Sequence, residues 1–364
     1  MQSSSRKLLV VLAGLLVLGF VLYRSSGMIH LGDFSGTKLV HAVRHANRFL
    51  LVLSIVAIYA CYALRALRWK VFQQNLGPSR FGPIYAMTLA GFAAVFLLGR
   101  AGEPVRPLIL SRKEKLPIAD LFGIYALERL FDLASTAVIA AIGLLLFQSR
   151  AHVGETAGKL ETAARTTGSL LFVGVAAATV FLLYLRLHGS ALLERRLQGW
   201  VIAHGWRGKM AAILLGFARG VQAIRTWSDL ALSVFYSAIH WFLVVLIYLW
   251  VSHSFGGALT SLSLGDAMLV MAFTLVGSAV QLPGVGGGSQ VACFLAYTAV
   301  FGVETEAAAA ASIVMWLITF AACSLAGVPL LIHEGFSLGE LRELAEHEKE
   351  AAGESAARQG DSAL

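Results

Sequence analysis

Long apolar runs separated by short polar segments dominate the sequence up to about residue 332. Six of these runs approach the roughly 20 residues that a membrane-spanning helix requires, and they cover 8–23, 49–64, 121–147, 170–187, 230–251 and 307–332. Two further apolar stretches, 81–110 and 267–301, are interrupted near their middle. The pattern predicts an all-α polytopic membrane protein with about six spanning helices and two re-entrant helical hairpins.

The two interruptions contain the residues that are least expected in a membrane helix. Residues 99–107 read GRAGEPVRP, and residues 283–290 read PGVGGGSQ. Proline removes a backbone donor and glycine loosens a helix. In hydrocarbon, irregular backbone persists only inside protein or beside a water-filled cavity. Broken helices at corresponding places in two halves mark the substrate site of many transporters. The simpler interpretation is that two ordinary loops join short helices.

The order of these elements repeats along the chain. A span, an interfacial stretch, a span, a hairpin and a span occur within 8–147 and again within 169–333. Basic residues, which favour the cytoplasmic side, place the start of the first half in the cytoplasm and the start of the second half outside. The sequence therefore predicts an inverted-topology repeat with both termini in the cytoplasm. Arg44 and Arg48 are the main exceptions, because this topology places them outside.

Composition agrees with a single transmembrane domain over 1–333, followed by a charged and partly disordered cytoplasmic tail over 334–364. Charged residues make up 14% of the chain and hydrophobic residues 57%, whereas soluble proteins carry roughly 25% charged residues. The net charge is +8, and the acidic tail leaves the excess of Lys and Arg in the membrane body. Such an excess is typical of loops that face anionic lipid rather than nucleic acid. No metal-site spacing of Cys and His is present, and no cofactor is predicted.

Charged residues beside the first interruption are the main site candidates. Arg100, Glu103 and Arg106 are spaced by three, so on a continuous helical turn they would share a face. Because a guanidinium group donates two parallel hydrogen bonds to phosphate, we expect Arg100 or Arg106 to hold an anionic headgroup, with Glu103 positioning one of them. The alternative is a structural ion-pair network that closes the hairpin.

The next span carries three further ionisable residues, Glu128, Arg129 and Asp132. Charged groups at membrane depth usually pair or line a water-filled path. Glu128 and Asp132 lie four residues apart and are expected to pair with Arg100 or Arg106, or to contact the headgroup. A proton-coupled role is a third interpretation, because a low-dielectric surrounding raises the proton affinity of a carboxylate.

Two more groups of residues complete the candidates. Arg65 and Arg68 stand near the end of a span, where they are expected chiefly to anchor the membrane boundary and alternatively to attract lipid phosphate. In the second interruption, the amides around Gly284 and Gly287 either form an anion-binding nest or let helices pack closely, and Gln290 follows them.

Four motifs occur in order at suitable intervals: Arg65-x-x-Arg68-Trp69, Gly99-Arg100-x-Gly102-Glu103-x-x-Arg106, Glu128-Arg129-x-x-Asp132 and Pro283-Gly284-x-x-Gly287-x-x-Gln290. Together they resemble the transmembrane family of lysylphosphatidylglycerol synthases, which is also described as flippase-like. The resemblance implies an integral membrane protein that moves or handles lipids. The second glycine motif of that family usually ends in glutamate, and Gln290 departs from it.

The resemblance does not extend to lysyl transfer. In the full synthase a soluble aminoacyltransferase domain follows the membrane region, and only about thirty residues follow the last predicted span here. No catalytic residue is predicted, since no nucleophile elbow or phosphate-binding loop is present.

The leading hypothesis is a flippase that moves an anionic phospholipid or a polyprenyl-phosphate-linked lipid between the leaflets of the cytoplasmic (inner) membrane. The expected partners are therefore membrane lipids with anionic headgroups. A membrane-embedded lipid-phosphate transferase and an accessory scaffold of a cell-envelope enzyme are the alternatives.

Overall fold

The protein is all-helical in the part of the chain that the computed structural model describes, apart from one very short strand pair. The described residues are 36–146, 223–278, 281–282 and 286–334, with scattered positions between 162 and 177. The helices in these ranges are α1 (Gly36–His45), α2 (Arg48–Gln73), α3 (Phe81–Leu98), α4 (Val105–Glu114), α5 (Ile118–Leu146), α6 (Trp227–Ser254), α7 (Leu264–Gly277), α8 (Gly288–Leu295), α9 (Thr305–Trp316) and α10 (Ala322–His333). Strands β1 (Gln281–Leu282) and β2 (Gly286–Gly287) pair antiparallel.

Five helices in the described ranges are long and apolar enough to cross a membrane. Four correspond to predicted spans, and α9 and α10 form one of them because a π-helical turn at Leu317–Ala321 joins them. The fifth is α3, which has 18 residues and forms the first arm of the interrupted stretch at 81–110. The predicted spans at 8–23 and 170–187, the interfacial stretch of the second half and the tail lie wholly or mostly outside the described residues.

Helices α2 and α6 form the most extensive helix pair among the described residues and run antiparallel. At one end the Asn47 amide, just before α2, donates to the Ser254 carbonyl at the end of α6, over 2.7 Å. At the other end the Asn75 side chain donates to the Asp229 carboxylate in the first turn of α6, over 3.1 Å. Capping fixes the starts of both helices, since Asn47 caps α2 and Thr226 with Asp229 forms a capping box on α6.

Both predicted hairpins are present as pairs of helices that fold back on each other. In the first hairpin, α3 ends at Gly99, whose φ of +67° is readily adopted by glycine, and α4 returns along α3. The return is close: a β-carbon on Gly91 would lie 2.6 Å from the β-carbon of Arg106, and one on Gly102 would overlap the backbone of Ala94. In the second hairpin, α7 and α8 approach so closely that Gly277 faces the backbone of Gly288.

The hairpins enter the bundle from opposite ends, as the sequence predicts. An ion pair between Lys113 and Glu334 joins the end of α4 to the end of α10. At the other end, α7 begins beside the end of α5, where Gly265 lies against Leu146. In addition, α10 packs along α3 and α5 packs along α7. The last span of each half therefore contacts the first hairpin helix of the other. The inverted repeat itself stays a prediction.

Candidate functional site

Six charged side chains meet inside the bundle, between α2, α4 and α5. Arg65 and Arg68 stand one turn apart near the end of α2, while Glu128, Arg129 and Asp132 lie on α5. Arg106 is the second residue of α4, where the first hairpin returns. We call Arg65, Arg68, Arg106, Glu128, Arg129 and Asp132 the arginine cluster. All except Arg129 are at least nine-tenths buried, and Glu128 is fully so.

Glu128 is the point at which the first hairpin joins the rest of the arginine cluster. One of its oxygens lies 2.8 Å from Nη1 of Arg106. The other lies 3.2 Å from Nε of Arg65 and 3.3 Å from Nη2 of Arg68. A single carboxylate thus contacts arginines from both α2 and α4. The predicted pairing of Glu128 with Arg106 across the hairpin is confirmed.

Asp132 connects α2 with α5. Its Oδ1 accepts a hydrogen bond of 2.7 Å from Nη2 of Arg68, and its Oδ2 is paired with Nη2 of Arg65. The same oxygen lies 3.0 Å from Nη2 of Arg129, one turn earlier on α5. Asp132 therefore pairs with Arg65, Arg68 and Arg129 rather than with the hairpin arginines that the sequence suggested.

Helix α6 contributes a polar contact that the sequence analysis missed. Nη1 of Arg68 donates to Oγ of Ser237 over 2.8 Å, and the Ser237 hydroxyl donates to the Ser233 carbonyl over 2.7 Å. His240, three residues further on, is buried and interacts electrostatically with Arg65 and Asp132. The sequence does not reveal this contact, because Ser237 lies within an apolar run. It reaches Arg68 only because of the way α6 is rotated about its own axis.

Aromatic rings lie against the guanidinium groups. The ring of Trp69 lies 4.0 Å from the guanidinium carbon of Arg106, and the ring of Phe92 lies 4.8 Å from that of Arg65. Arg129 lies 5.2 Å from the ring of Tyr125. Such rings stabilise a cation electrostatically and leave only the edge of the guanidinium plane free for hydrogen bonds.

The charges of the arginine cluster do not balance. Four guanidinium groups face two carboxylates, which leaves a formal excess of two positive charges. Among the described residues, the buried Nε and Nη2 of Arg106 have no hydrogen-bond partner, and neither has Nε of Arg68 or of Arg129. Nε of Arg65 lies near Glu128 but is not aligned for a hydrogen bond. Buried charge without a partner is costly, so the geometry fits an additional anion.

The break in the first hairpin changes the predicted grouping of its residues. Arg100 belongs to a separate 3₁₀ turn, Gly99–Gly102, and α4 begins only at Val105. Arg100, Glu103 and Arg106 therefore do not share one helical face, and that prediction is wrong. Glu103 accepts a hydrogen bond of 2.6 Å from the Tyr125 hydroxyl, while the carboxylate that positions Arg106 is Glu128. The side chain of Arg100 is outside the described part.

The interpretation of Arg65 and Arg68 as membrane-boundary anchors is wrong. Their side chains are 7% and 1% exposed and point into the bundle, where they meet Glu128 and Asp132. An interfacial anchor must instead reach the headgroup layer. The alternative interpretation, that these arginines attract lipid phosphate, stays a prediction. If they do, the phosphate has to reach them inside the bundle.

The second interruption is organised differently from the first. Gly284 lies outside the described residues, whereas Gly287 has a φ of +131° and precedes α8. The amide of Gly287 donates to the Gln290 side chain over 3.1 Å. This amide is thus occupied by a local cap and is not free for an anion nest. The contact of Gly277 with Gly288 favours the packing role of these glycines.

The fold and the buried charges define an α-helical integral membrane protein with an arginine-rich interior. Residues 8–327 match the sequence profile described as "Lysylphosphatidylglycerol synthase TM region", so the chain belongs to that family. It is also similar to a protein of Methanothermobacter thermautotrophicus described as "UPF0104 membrane protein". The two are 22% identical over 324 residues, which cover 83% of this chain and 90% of the relative.

Proposed function

We propose that the protein moves an anionic lipid between the two leaflets of a membrane, with the arginine cluster as the place where the headgroup binds during transfer. The observation that carries this proposal is the unbalanced charge of the cluster, buried between helices that are long and apolar enough to span a membrane. Charged side chains in such a place are rare and typically line a path for polar groups. Membership of a lipid-related family supports the same direction.

The proposed site lies inward from the ends of the helices that form it. Arg68 lies five residues before the end of α2 and Glu128 lies ten residues after the start of α5. At 1.5 Å per residue, the cluster is about 8 to 15 Å from those helix ends. The headgroup would therefore enter well below the membrane surface, while its tails stay in lipid.

The described basic residues suggest which side is cytoplasmic. Six of them cluster at the end of the bundle where α2 and α4 end and α6 begins: Lys70, Arg80, Arg112, Lys113, Lys115 and Arg225. The opposite end has Lys38, Arg44 and Arg48. By the preference of basic residues for the cytoplasm, the first end, and with it the arginine cluster, faces inward.

Transfer then requires the site to open in turn to each leaflet. The hairpins enter from opposite ends, and the last span of each half packs on the other half's hairpin. A rocking of one half against the other would move the first hairpin, and hence Arg106, relative to α2 and α5.

Leaflet exchange in proteoliposomes tests the proposal. Tail-labelled phosphatidic acid, phosphatidylglycerol and phosphatidylcholine are reconstituted with the protein, and dithionite reduction of the outer leaflet measures the exchange rate. We expect exchange of the anionic lipids above that of protein-free vesicles and above that of phosphatidylcholine. Equal rates with and without correctly inserted protein, for both anionic lipids, would refute the proposal.

A further inference from the structure

Among the described residues of the arginine cluster, Arg106 is the one arginine with two adjacent guanidinium nitrogens that have no hydrogen-bond partner. Nη1 of Arg106 is engaged by Glu128, while Nε and Nη2, which lie side by side on the guanidinium group, have no partner among the described residues. Arg65 and Arg68 instead direct Nη2 at a carboxylate oxygen of Asp132. Two adjacent donors on one edge match two oxygens of a phosphate group.

The surroundings of Arg106 hold this edge in place. Its guanidinium group stacks on Trp69 at 4.0 Å and is fixed at Nη1 by Glu128 at 2.8 Å. At the backbone of Arg106, α4 packs closely against α3 because Gly91 has no side chain. A β-carbon at position 91 would lie 2.6 Å from the β-carbon of Arg106. Arg106 is thus held on three sides, and within the described part of the chain its unsatisfied donors lie on the Nε–Nη2 edge.

The excess positive charge of the arginine cluster favours a phosphate monoester over a phosphodiester. Two surplus positive charges remain after Glu128 and Asp132 are counted. Glu103, which accepts the hydrogen bond of Tyr125, acts electrostatically on Arg129, the most exposed of the four arginines, and not on Arg106. A phosphodiester carries one negative charge, whereas a phosphate monoester carries close to two at neutral pH because its second pKa is about 6. The monoester also has three terminal oxygens, one more than the diester.

We propose that the arginine cluster takes a lipid with a terminal phosphate monoester, gripped by the Nε–Nη2 edge of Arg106, in preference to a phosphodiester lipid. The inference rests on the proposed function, because it names the headgroup class for the same site.

Calorimetric titration of the purified full-length protein in detergent measures the preference. The probes are dioctanoyl phosphatidic acid, which is a monoester, dioctanoyl phosphatidylglycerol, which is a diester, and glycerol phosphate, which is a monoester without tails. At pH 7.5 we expect phosphatidic acid to bind about tenfold more tightly than phosphatidylglycerol, a difference of about 1.4 kcal/mol. Glycerol phosphate binding as tightly as phosphatidic acid would overturn the lipid assignment.

The pH dependence gives a second readout. Phosphatidic acid loses one charge as the pH falls from 7.5 to 5, so its advantage over phosphatidylglycerol should shrink to less than about threefold. The titratable protein groups that face the site are Glu103, Tyr125, Glu128, Asp132 and His240. Phosphatidylglycerol keeps its single charge over this pH range, so its own affinity reports any change in the protein. A preference that does not change with pH would contradict the inference.

Substitutions of Arg106 separate the contribution of its two adjacent donors to phosphate binding from the contribution of its positive charge. Arg106→Lys keeps the charge but loses the edge, and should weaken phosphatidic acid binding about tenfold. The double variant Arg106→Gln with Glu128→Gln removes the Nε–Nη2 donors and leaves the net charge unchanged. It replaces Arg106→Lys in the titration if that single variant does not fold. Lys115→Gln, an exposed change just after the same helix, is the matched control and should bind normally.

The outcomes distinguish this inference from the proposed function. Equal affinities for the two lipids would overturn the monoester assignment, and unchanged phosphatidic acid binding in Arg106→Lys would overturn the assignment of the Nε–Nη2 edge, even if leaflet exchange of anionic lipids is observed. Absence of exchange would instead refute the proposed function, whatever the binding data show.

Discussion

Replacing Asp132 by asparagine tests the charge balance of the arginine cluster. Asp132 is paired with Arg65, lies 2.7 Å from Arg68 and lies 3.0 Å from Arg129, so the substitution leaves three guanidinium groups facing a neutral amide. The formal excess rises from two positive charges to three. Breaking a buried ion pair by removing one partner costs about 3–5 kcal/mol. We therefore expect Asp132→Asn to lose about that much free energy of unfolding.

The assay is reversible unfolding in mixed detergent and SDS micelles, with Arg129→Gln as the comparison. Arg129 makes one of these contacts and its side chain is 36% exposed, so its loss should cost at most about 1 kcal/mol. Removing Arg65 together with Asp132 should restore part of the loss, because removing both partners of a buried pair is often nearly neutral. The reasoning is refuted if Asp132→Asn costs no more than Arg129→Gln.

Two further substitutions test the first hairpin and its surroundings. Gly102→Ala places a β-carbon against the Ala94 backbone, so we expect it to cost about 1–3 kcal/mol of unfolding free energy by separating the arms. Gly82→Ala, which meets nothing within 4 Å, should be neutral, and equal effects of the two would contradict the close approach. Tyr125→Phe removes the hydrogen bond to Glu103 and should cost about 1 kcal/mol in the same assay. A cost above that of Asp132→Asn would show that the Tyr125 hydroxyl, and not the ion pairs, dominates the site.

The apolar pattern was sufficient to predict most of the described helices. The run at 230–251 became α6, the run at 121–147 became α5, and the two interruptions became turns between paired helices. These predictions succeed because hydropathy and helix breakers act locally along the chain.

The rotation of each helix was not predictable from one sequence. Arg65 and Arg68 stand near a helix end, where the usual rule assigns them to the membrane boundary, yet both face inward. Their partners are sixty or more residues away along the chain, on α5. Only the packing of α2 against α5 and α6 decides which face of α2 is inside, and Ser237 was missed for the same reason.

The most direct test of the central claim is the position of a lipid phosphate in an experimental structure of the protein in nanodiscs that contain phosphatidic acid. The account predicts a phosphate with two oxygens at hydrogen-bond distance, about 2.7–3.2 Å, from Nε and Nη2 of Arg106. A well-resolved structure in which lipid phosphates lie only outside the bundle, and this edge of Arg106 is bound by a protein side chain, would contradict it.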